Sequence, residues 1–257
     1  MTEKSHAKVN IFLKMMGTRG SYHELTSRFV RVESLFDTLT FVKKEHANND
    51  FELIGQFSCD LEKNSIYKVF LLLLEEDYNP KLQSFFHEYK IVVDKNIPEF
   101  AGLGGGSSNA GTFLRLTNET LNLGHTKEKL ASIGAKIGAD VPFFVYDYPS
   151  ANVSGIGEVV TLFDEEPLQI ETFTPNILCD TGKVYTRFRS HYLKDIDIKS
   201  AKRLQEQTSK ELLQKYDTHF LNDLFAPAVE LYPALEAYHH NNFFSGSGST
   251  FFKVSHG

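Results

Sequence analysis

PEFAGLGGGSSNAGTFLRL, residues 98–116, crowds glycines 102, 104, 105 and 106 and serines 107 and 108 where a strand hands over to a helix. Lacking Cβ, those glycines let the backbone take positive φ and approach a ligand closely. Ser107 and Ser108 then open a helix whose inward face reads Ala110, Phe113, Leu114, Thr117 and Leu121, at i, i+3, i+4, i+7 and i+11. A glycine turn emptying into a helix amino terminus gathers unpaired N–H groups and the positive end of the macrodipole, which are the parts of a phosphate site. On the glycines alone, a turn that merely caps a helix looks the same. Two known phosphate loops do not fit: GxxxxGK[ST] is missing, and the third glycine of the dinucleotide pattern falls on Ser107.

Working outward, YKIVVDKNIP reads as a strand that Pro98 ends. AKVNIFLKMMG alternates Ala7, Val9, Ile11 and Leu13 with Lys8, Asn10, Phe12 and Lys14, a strand that sets Lys8 and Asn10 on one face, one pleat apart. TRGSYHEL is a turn-like approach to SRFVRV and DTLTFV, read as two further strands of a mostly antiparallel sheet. NSIYKVFLLLLEEDY, residues 64–78, has Ile66, Val69, Phe70 and Leu73 at helical spacing, with Asn64 or Ser65 as cap. TKEKLASIGAKIG buries Leu130, Ile133 and Ile137 and stops at Gly138. ADVPFFV follows directly and places Asp140 in apolar surroundings. A carboxylate there needs a cation or donors; the alternative is a cap for a turn beginning near Pro142.

Composition bounds the rest. The 257 residues carry 33 acids and 27 bases, a formal charge of −6 without a basic stripe, so nucleic acid is not the expected partner. Cys59 and Cys179 lack CxxC or histidine partners at zinc spacing, which argues against a disulfide scaffold or structural metal and fits a reducing cytoplasm. The amino terminus has no apolar leader-like run, and VFLLLL is far short of the roughly 20 residues of a membrane helix, so no membrane partner is expected.

AKVNIFL, GLGGGSSNAGTFLRL with IGADVPFFV, and NNFFSGSGSTFF resemble, in order, the three motifs of the GHMP small-molecule kinases, named for galactokinase, homoserine kinase, mevalonate kinase and phosphomevalonate kinase. YHEL, the undivided GLGGGSSNA, GADVPFF and GIGEVV are similar to the branch whose acceptor alcohol carries a cytidine diphosphate group. The resemblance runs from Ala7 to Phe252, with DFELIGQFSCD and SHYLKDIDIKSAKRLQEQ matching only loosely.

It implies an α+β, two-domain kinase with the site in the cleft: a ribosomal-S5-like ATP-binding domain over residues 1–155 and a ferredoxin-like substrate domain over 156–257, the boundary lying near YDYPSANVSGIGE. ATP would be the donor and magnesium its companion. The phosphates would lie on Pro98, Gly102, Leu103, Gly104, Gly105, Gly106, Ser107 and Ser108. Adenine would lie near Asn64, Ile66 and Lys95, which equally suit a cap, a core residue and a solvated lysine. The implied base is Asp140 and its partner Lys8, with Asn10 reaching the same hydroxyl. Tyr22 and Tyr185 would stack on cytosine, His23 read its edge and Thr181 sit near the sugar-like end. Two departures stand out. Gly20-Ser21 replaces the usual Asp-Gly, and Asn109 stands where members often have aspartate, leaving Ser108 as the expected magnesium ligand. Gly246 and Gly248 read as a tight loop between a helix and the strand TFFKV, while His239 and His240 read as structural. A kinase for another alcohol, such as homoserine or mevalonate, and a nucleotide-binding module without catalysis are the alternatives; a monomer or homodimer is expected.

Overall fold

The computed structural model describes residues 1–77 and 80–255. Neither of its two compact units is one continuous stretch of chain. The first comprises Met1–Ala7, Leu35–Ile97 and Gly105–Asp147; the second comprises Lys8–Ser34, Pro98–Gly104 and Tyr148–Gly257. β1 (Thr2–Arg19) and β2 (Tyr22–Lys43) each contribute to both units. SRFVRV and DTLTFV are parts of this one 22-residue strand, because the intervening Glu33–Phe36 contains no glycine or proline to break it. β1 is also longer than expected and is buried on both faces from Ala7 to Leu13, so Lys8 is not on a solvated side.

In the first unit β3 (Leu53–Ile54), α1 (Ser65–Asp77), α2 (Pro80–Glu88) and β4 (Tyr89–Asp94) follow β2. Thr38–Lys43 of β2 pair antiparallel with β4, and β3 pairs parallel with β4. The Asn64 side-chain oxygen accepts the Ile66 N–H at 2.9 Å, the expected cap of α1; Tyr78, the last residue expected in that helix, lies outside the described residues. α3 (Gly105–Leu121), α4 (Lys127–Ala135) and α5 (Val141–Tyr146) complete the unit. α3 begins two residues before the expected start, making Gly105 and Gly106 first-turn residues. Besides the expected Ala110, Phe113 and Leu114 it buries Ser108, Asn109, Gly111 and Thr112. A Cβ on Gly111 would lie 2.7 Å from that of Phe144, so α3 and α5 pack closer than larger residues allow. Phe41, Phe86 and Phe113 meet in the core at ring separations of 5.6 to 6.2 Å, each such pair adding about 0.5–1.5 kcal/mol beyond area burial.

In the second unit Leu25–Val30 of β2 pair with β5 (Ser150–Gly155), which pairs with β6 (Val159–Leu162). Then come β7 (Ile170–Phe173), α6 (Thr181–His191), α7 (Ile198–Leu204), α8 (Ser209–Lys215), α9 (Thr218–Leu221), α10 (Phe225–Leu231), β8 (Phe243–Phe244) and β9 (Phe251–Val254). β7, β9 and β8 form a three-stranded antiparallel sheet. The SGSGS loop thus joins two strands, correcting the helix expected before it: Phe243 and Phe244 lie in the ladder opposite Phe252 and Phe251. Leu13, Val184, Phe188, Leu224, Phe225 and Phe244 are in this unit's core. Among the described residues, no helix is long and apolar enough to cross a membrane.

Candidate active site

The glycines divide their labour. Gly102 and Gly104 are left-handed, with φ of 75° and 72°. The Gly102 carbonyl accepts hydrogen bonds from Lys8 Nζ at 3.2 Å and Ser245 Oγ at 3.1 Å. A Cβ at Gly102 would run into the Ser245 carbonyl oxygen. Gly102→Ala is therefore expected to cost at least about 1–2 kcal/mol in urea unfolding. Gly124→Ala is the control, since Gly124 has φ of 77° and open space around it; an equal loss there would reduce the effect to backbone strain alone.

Around that carbonyl the second unit gathers a buried polar cluster. Lys8, 3% exposed, donates from Nζ to Asn10 Oδ1 at 2.7 Å and lies 4.5 Å from the centre of the Phe29 ring. The pairing of Lys8 with Asn10 follows from their shared strand face. Asn10 Nδ2 donates to Ser27 Oγ at 2.9 Å, and Ser27 Oγ to the Phe12 carbonyl at 2.5 Å. The SGSGS loop closes the cluster: the Asn10 N–H points at Ser245 Oγ at 3.4 Å, while the Ser247 and Thr181 hydroxyls are 2.8 Å apart. Asn222 Nδ2 holds this loop by donating to the carbonyls of Phe244 and Gly246 at 2.9 and 3.0 Å. Ser245, Ser247 and Asn222 were not singled out from sequence; the available signal was a serine at every second position of SGSGS.

A second group surrounds the β1–β2 turn. Gly20, at φ 62°, supplies the positive φ that a two-residue hairpin turn needs, so Gly-Ser closes it without Asp-Gly. Arg189 of α6 donates from Nη2 to the carbonyls of Gly20 and Ser21 at 3.3 and 3.1 Å. Tyr22 leaves this turn 63% exposed. The His23 ring centre lies 5.3 Å from that of Tyr185 and 6.0 Å from that of Phe188. Its Nε2 is buried without a hydrogen-bond partner. Burial, aided by the Arg189 charge, pushes the His23 pKa below the ordinary 6.5. The ring is therefore neutral at physiological pH, offering one donor and one acceptor nitrogen.

In the first unit, polar groups run along α3. Asp37 Oδ1 accepts the N–H groups of Asn96 and Ile97 at 2.7 and 2.8 Å, and its Oδ2 accepts from Asn109 Nδ2 at 2.8 Å and pairs with Lys95. Lys95 also donates to Asn109 Oδ1 at 3.0 Å, so it is ion-paired rather than solvated. An aspartate at 109 would set a second carboxylate against Asp37; asparagine donates to it instead. Ser108, 1% exposed, donates to the His6 carbonyl at 2.6 Å and lies 2.8 Å from Ser5 Oγ. Its hydroxyl is turned into the unit, which does not suit the metal-ligand expectation. Ile66 is fully buried and its N–H is held by the Asn64 side chain, while the Asn64 N–H donates to the Leu61 carbonyl and the Asn64 carbonyl accepts from the Lys68 N–H, so both residues have the cap and core roles weighed as alternatives. Asp140 stands at the N-cap of α5 in a right-handed conformation, φ −82° and ψ −14°, and makes no side-chain capping bond, so the cap alternative is not what forms.

The GHMP kinases N terminal domain family matches residues 64–148. The chain is 52% identical to the 4-diphosphocytidyl-2-C-methyl-D-erythritol kinase of Sulfurimonas denitrificans over 98% of its own length and 96% of the other. Among solved structures, a 4-(cytidine 5'-diphospho)-2C-methyl-D-erythritol kinase aligns at a TM-score of 0.74 with 28% identity, over 100% of this chain and 91% of that one. The Methanococcus jannaschii mevalonate kinase shares the fold at a TM-score of 0.61 and 12% identity, over 100% and 90%. With its motifs in order and near-full-length identity of this level, the chain belongs to the 4-diphosphocytidyl-2-C-methyl-D-erythritol kinase family, within the GHMP kinases.

Proposed function

We propose that this chain transfers the γ-phosphoryl group of ATP to the 2-hydroxyl of 4-diphosphocytidyl-2-C-methyl-D-erythritol, a step of the methylerythritol phosphate route to isoprenoid precursors. The observation that carries the acceptor assignment is the neutral, partly buried His23 beside Tyr185, with Tyr22 exposed at the adjoining turn. A flat base can stack on the aromatic rings, and a neutral imidazole can match a base edge that mixes donors and acceptors. Homoserine or mevalonate would leave that group without a task, and a module without catalysis would not need Lys8 and Asp140.

Phosphoryl transfer passes through a loose transition state, so positioning and charge stabilisation dominate. Asp140 takes the proton of the acceptor hydroxyl as its oxygen bonds to the γ-phosphorus and the bond to the ADP oxygen breaks. Lys8 stabilises negative charge on the reacting oxygen and the transferred group, and Asn10 orients the Lys8 ammonium through their hydrogen bond. The N–H groups of Gly105, Gly106 and Ser107, in the first turn of α3, donate to the phosphates. Adenine lies near the start of α1, beside Asn64 and Ile66. Magnesium accompanies the triphosphate; Ser108, 1% exposed, would have to turn away from Ser5 and His6 to ligate it. We place the enzyme in the cytoplasm, where its free Cys59 and Cys179 stay reduced.

The test is ADP release over alcohols with and without a cytidine diphosphate group; equal turnover of homoserine or mevalonate would overturn the acceptor assignment. Tyr22→Ala is expected to raise the acceptor KM about 5- to 150-fold, corresponding to about 1–3 kcal/mol of stacking, and to leave the ATP KM unchanged. An unmoved acceptor KM removes Tyr22 from the clamp.

A further inference from the structure

We propose that His219, Glu236 and His239 form a binding site for a divalent transition metal, with zinc the best match, on the second unit. His219 lies in α9, Glu236 in the 3-10 turn Pro233–Tyr238, and His239 directly after that turn. Glu236 Oε1 is 3.2 Å from His239 Nε2 and 4.0 Å from His219 Nε2, and the three donor atoms all lie within 4.8 Å of one another. Around a tetrahedral zinc with bonds of about 2.0–2.1 Å, neighbouring donors stand about 3.3 Å apart. The edge between Glu236 and His239 already has that length, and the other edges close through movements of about 1.5 Å or less.

Packing fixes the two imidazoles before any ion arrives. Both rings meet the fully buried Phe225 ring at steep angles, His219 at 4.8 Å and 70°, His239 at 6.1 Å and 66°. The His240 ring lies 4.2 Å from that of His239. Less side-chain freedom is therefore lost on binding. The His219 and Glu236 side chains are 46% and 50% exposed, so an ion reaches the site from solvent and water completes the coordination. Two imidazoles and one carboxylate suit zinc, nickel, cobalt or copper rather than magnesium, which prefers oxygen ligands alone. A bound ion would tie α9 to the turn before β8 and stabilise the folded unit by mass action. None of the three residues has a part in the proposed phosphoryl transfer.

The experiment uses the full chain without a polyhistidine tag, stripped of metal, and titrated with ZnCl2 while melting temperature and binding stoichiometry are followed. One equivalent should bind and raise the melting temperature, MgCl2 should not substitute, and CoCl2 should give the visible absorption of a low-symmetry site. His219→Gln, Glu236→Gln and His239→Gln should each weaken zinc binding at least about tenfold and leave ADP release in zinc-free buffer unchanged, while His240→Gln should bind as the parent does. If His239→Gln melts lower even without metal, the exposed His219→Gln carries the test. The proposal is overturned if the parent chain binds no zinc, or if His219→Gln and Glu236→Gln bind it as tightly as the parent.

Discussion

Asp140→Asn is expected to lower kcat about 10²- to 10⁴-fold, the usual contribution of a positioned general base, with ATP and acceptor affinities staying within a few-fold. The substitution is nearly isosteric, and because the Asp140 side chain does not cap α5, no cap is lost with its charge. Calorimetric titration with a non-hydrolysable ATP analogue and with acceptor separates binding from chemistry, while ADP release gives kcat. Turnover at the parent rate would sink the base assignment. Lys8→Met is a less clean probe: it removes the ammonium but also strips donors from the Asn10 side chain and the Gly102 carbonyl, both in a buried cluster. Its melting temperature has to be compared with that of Asn10→Ala before any rate loss is read as catalytic.

What the sequence made legible follows from what is local. The α1 cap at Asn64, the apolar face of α3 and the shared face of Lys8 and Asn10 all lie within a few residues of their partners, where helical and strand periods apply. The long-range partners were hidden. The glycine at 102 could be read as a ligand approach, but its clash partner, the Ser245 carbonyl, is 143 residues away. Asn109 reads as a lost metal-side charge, yet Asp37, 72 residues earlier, sets a carboxylate beside it. Lys95 reads as solvated for the same reason, its partner Asp37 being distant in sequence. The full lengths of β1 and β2 are not legible because pattern alone sets no upper limit on strand length.

Arg28 was the residue most opaque to sequence reading, and replacing it carries the largest expected loss of stability. Within SRFVRV it reads as one charge on an ordinary strand, yet it is fully buried. Its Nε donates to Asn152 Oδ1 at 2.8 Å, Nη2 to the Gln205 carbonyl at 2.8 Å and Nη1 to the Gln207 carbonyl at 3.1 Å, while the guanidinium carbon lies 3.3 Å from the centre of the Phe163 ring. Glu165 stands 3.6 Å away and accepts from the Ser209 N–H and hydroxyl, each at 2.7 Å. Burial pushes the Arg28 pKa down to about 10, against the Glu165 charge that raises it. A base whose folded pKa lies below its unfolded one costs the fold most at pH values below the folded pKa, and that cost fades only as pH rises above about 10. Around neutrality the guanidinium is charged, and its favourable contacts have to outweigh a desolvation cost that does not vary with pH. Arg28→Met should therefore lower unfolding stability by about 3–5 kcal/mol, the usual loss when one partner of a buried ion pair is removed, as read from the urea midpoint. It leaves the Gln205 and Gln207 carbonyls short of donors and Glu165 without its cation. Arg28→Lys keeps the charge but not the planar fork, so its midpoint should fall between those of Arg28→Met and the parent. In the Arg28→Met/Glu165→Leu double variant the loss should be smaller than the sum of the single losses, because each single change strands the other partner in the interior. Additive losses would mean that the carbonyls and Phe163, rather than Glu165, make Arg28 fit its site, and a parental midpoint for Arg28→Met would mean that its buried contacts only offset its desolvation.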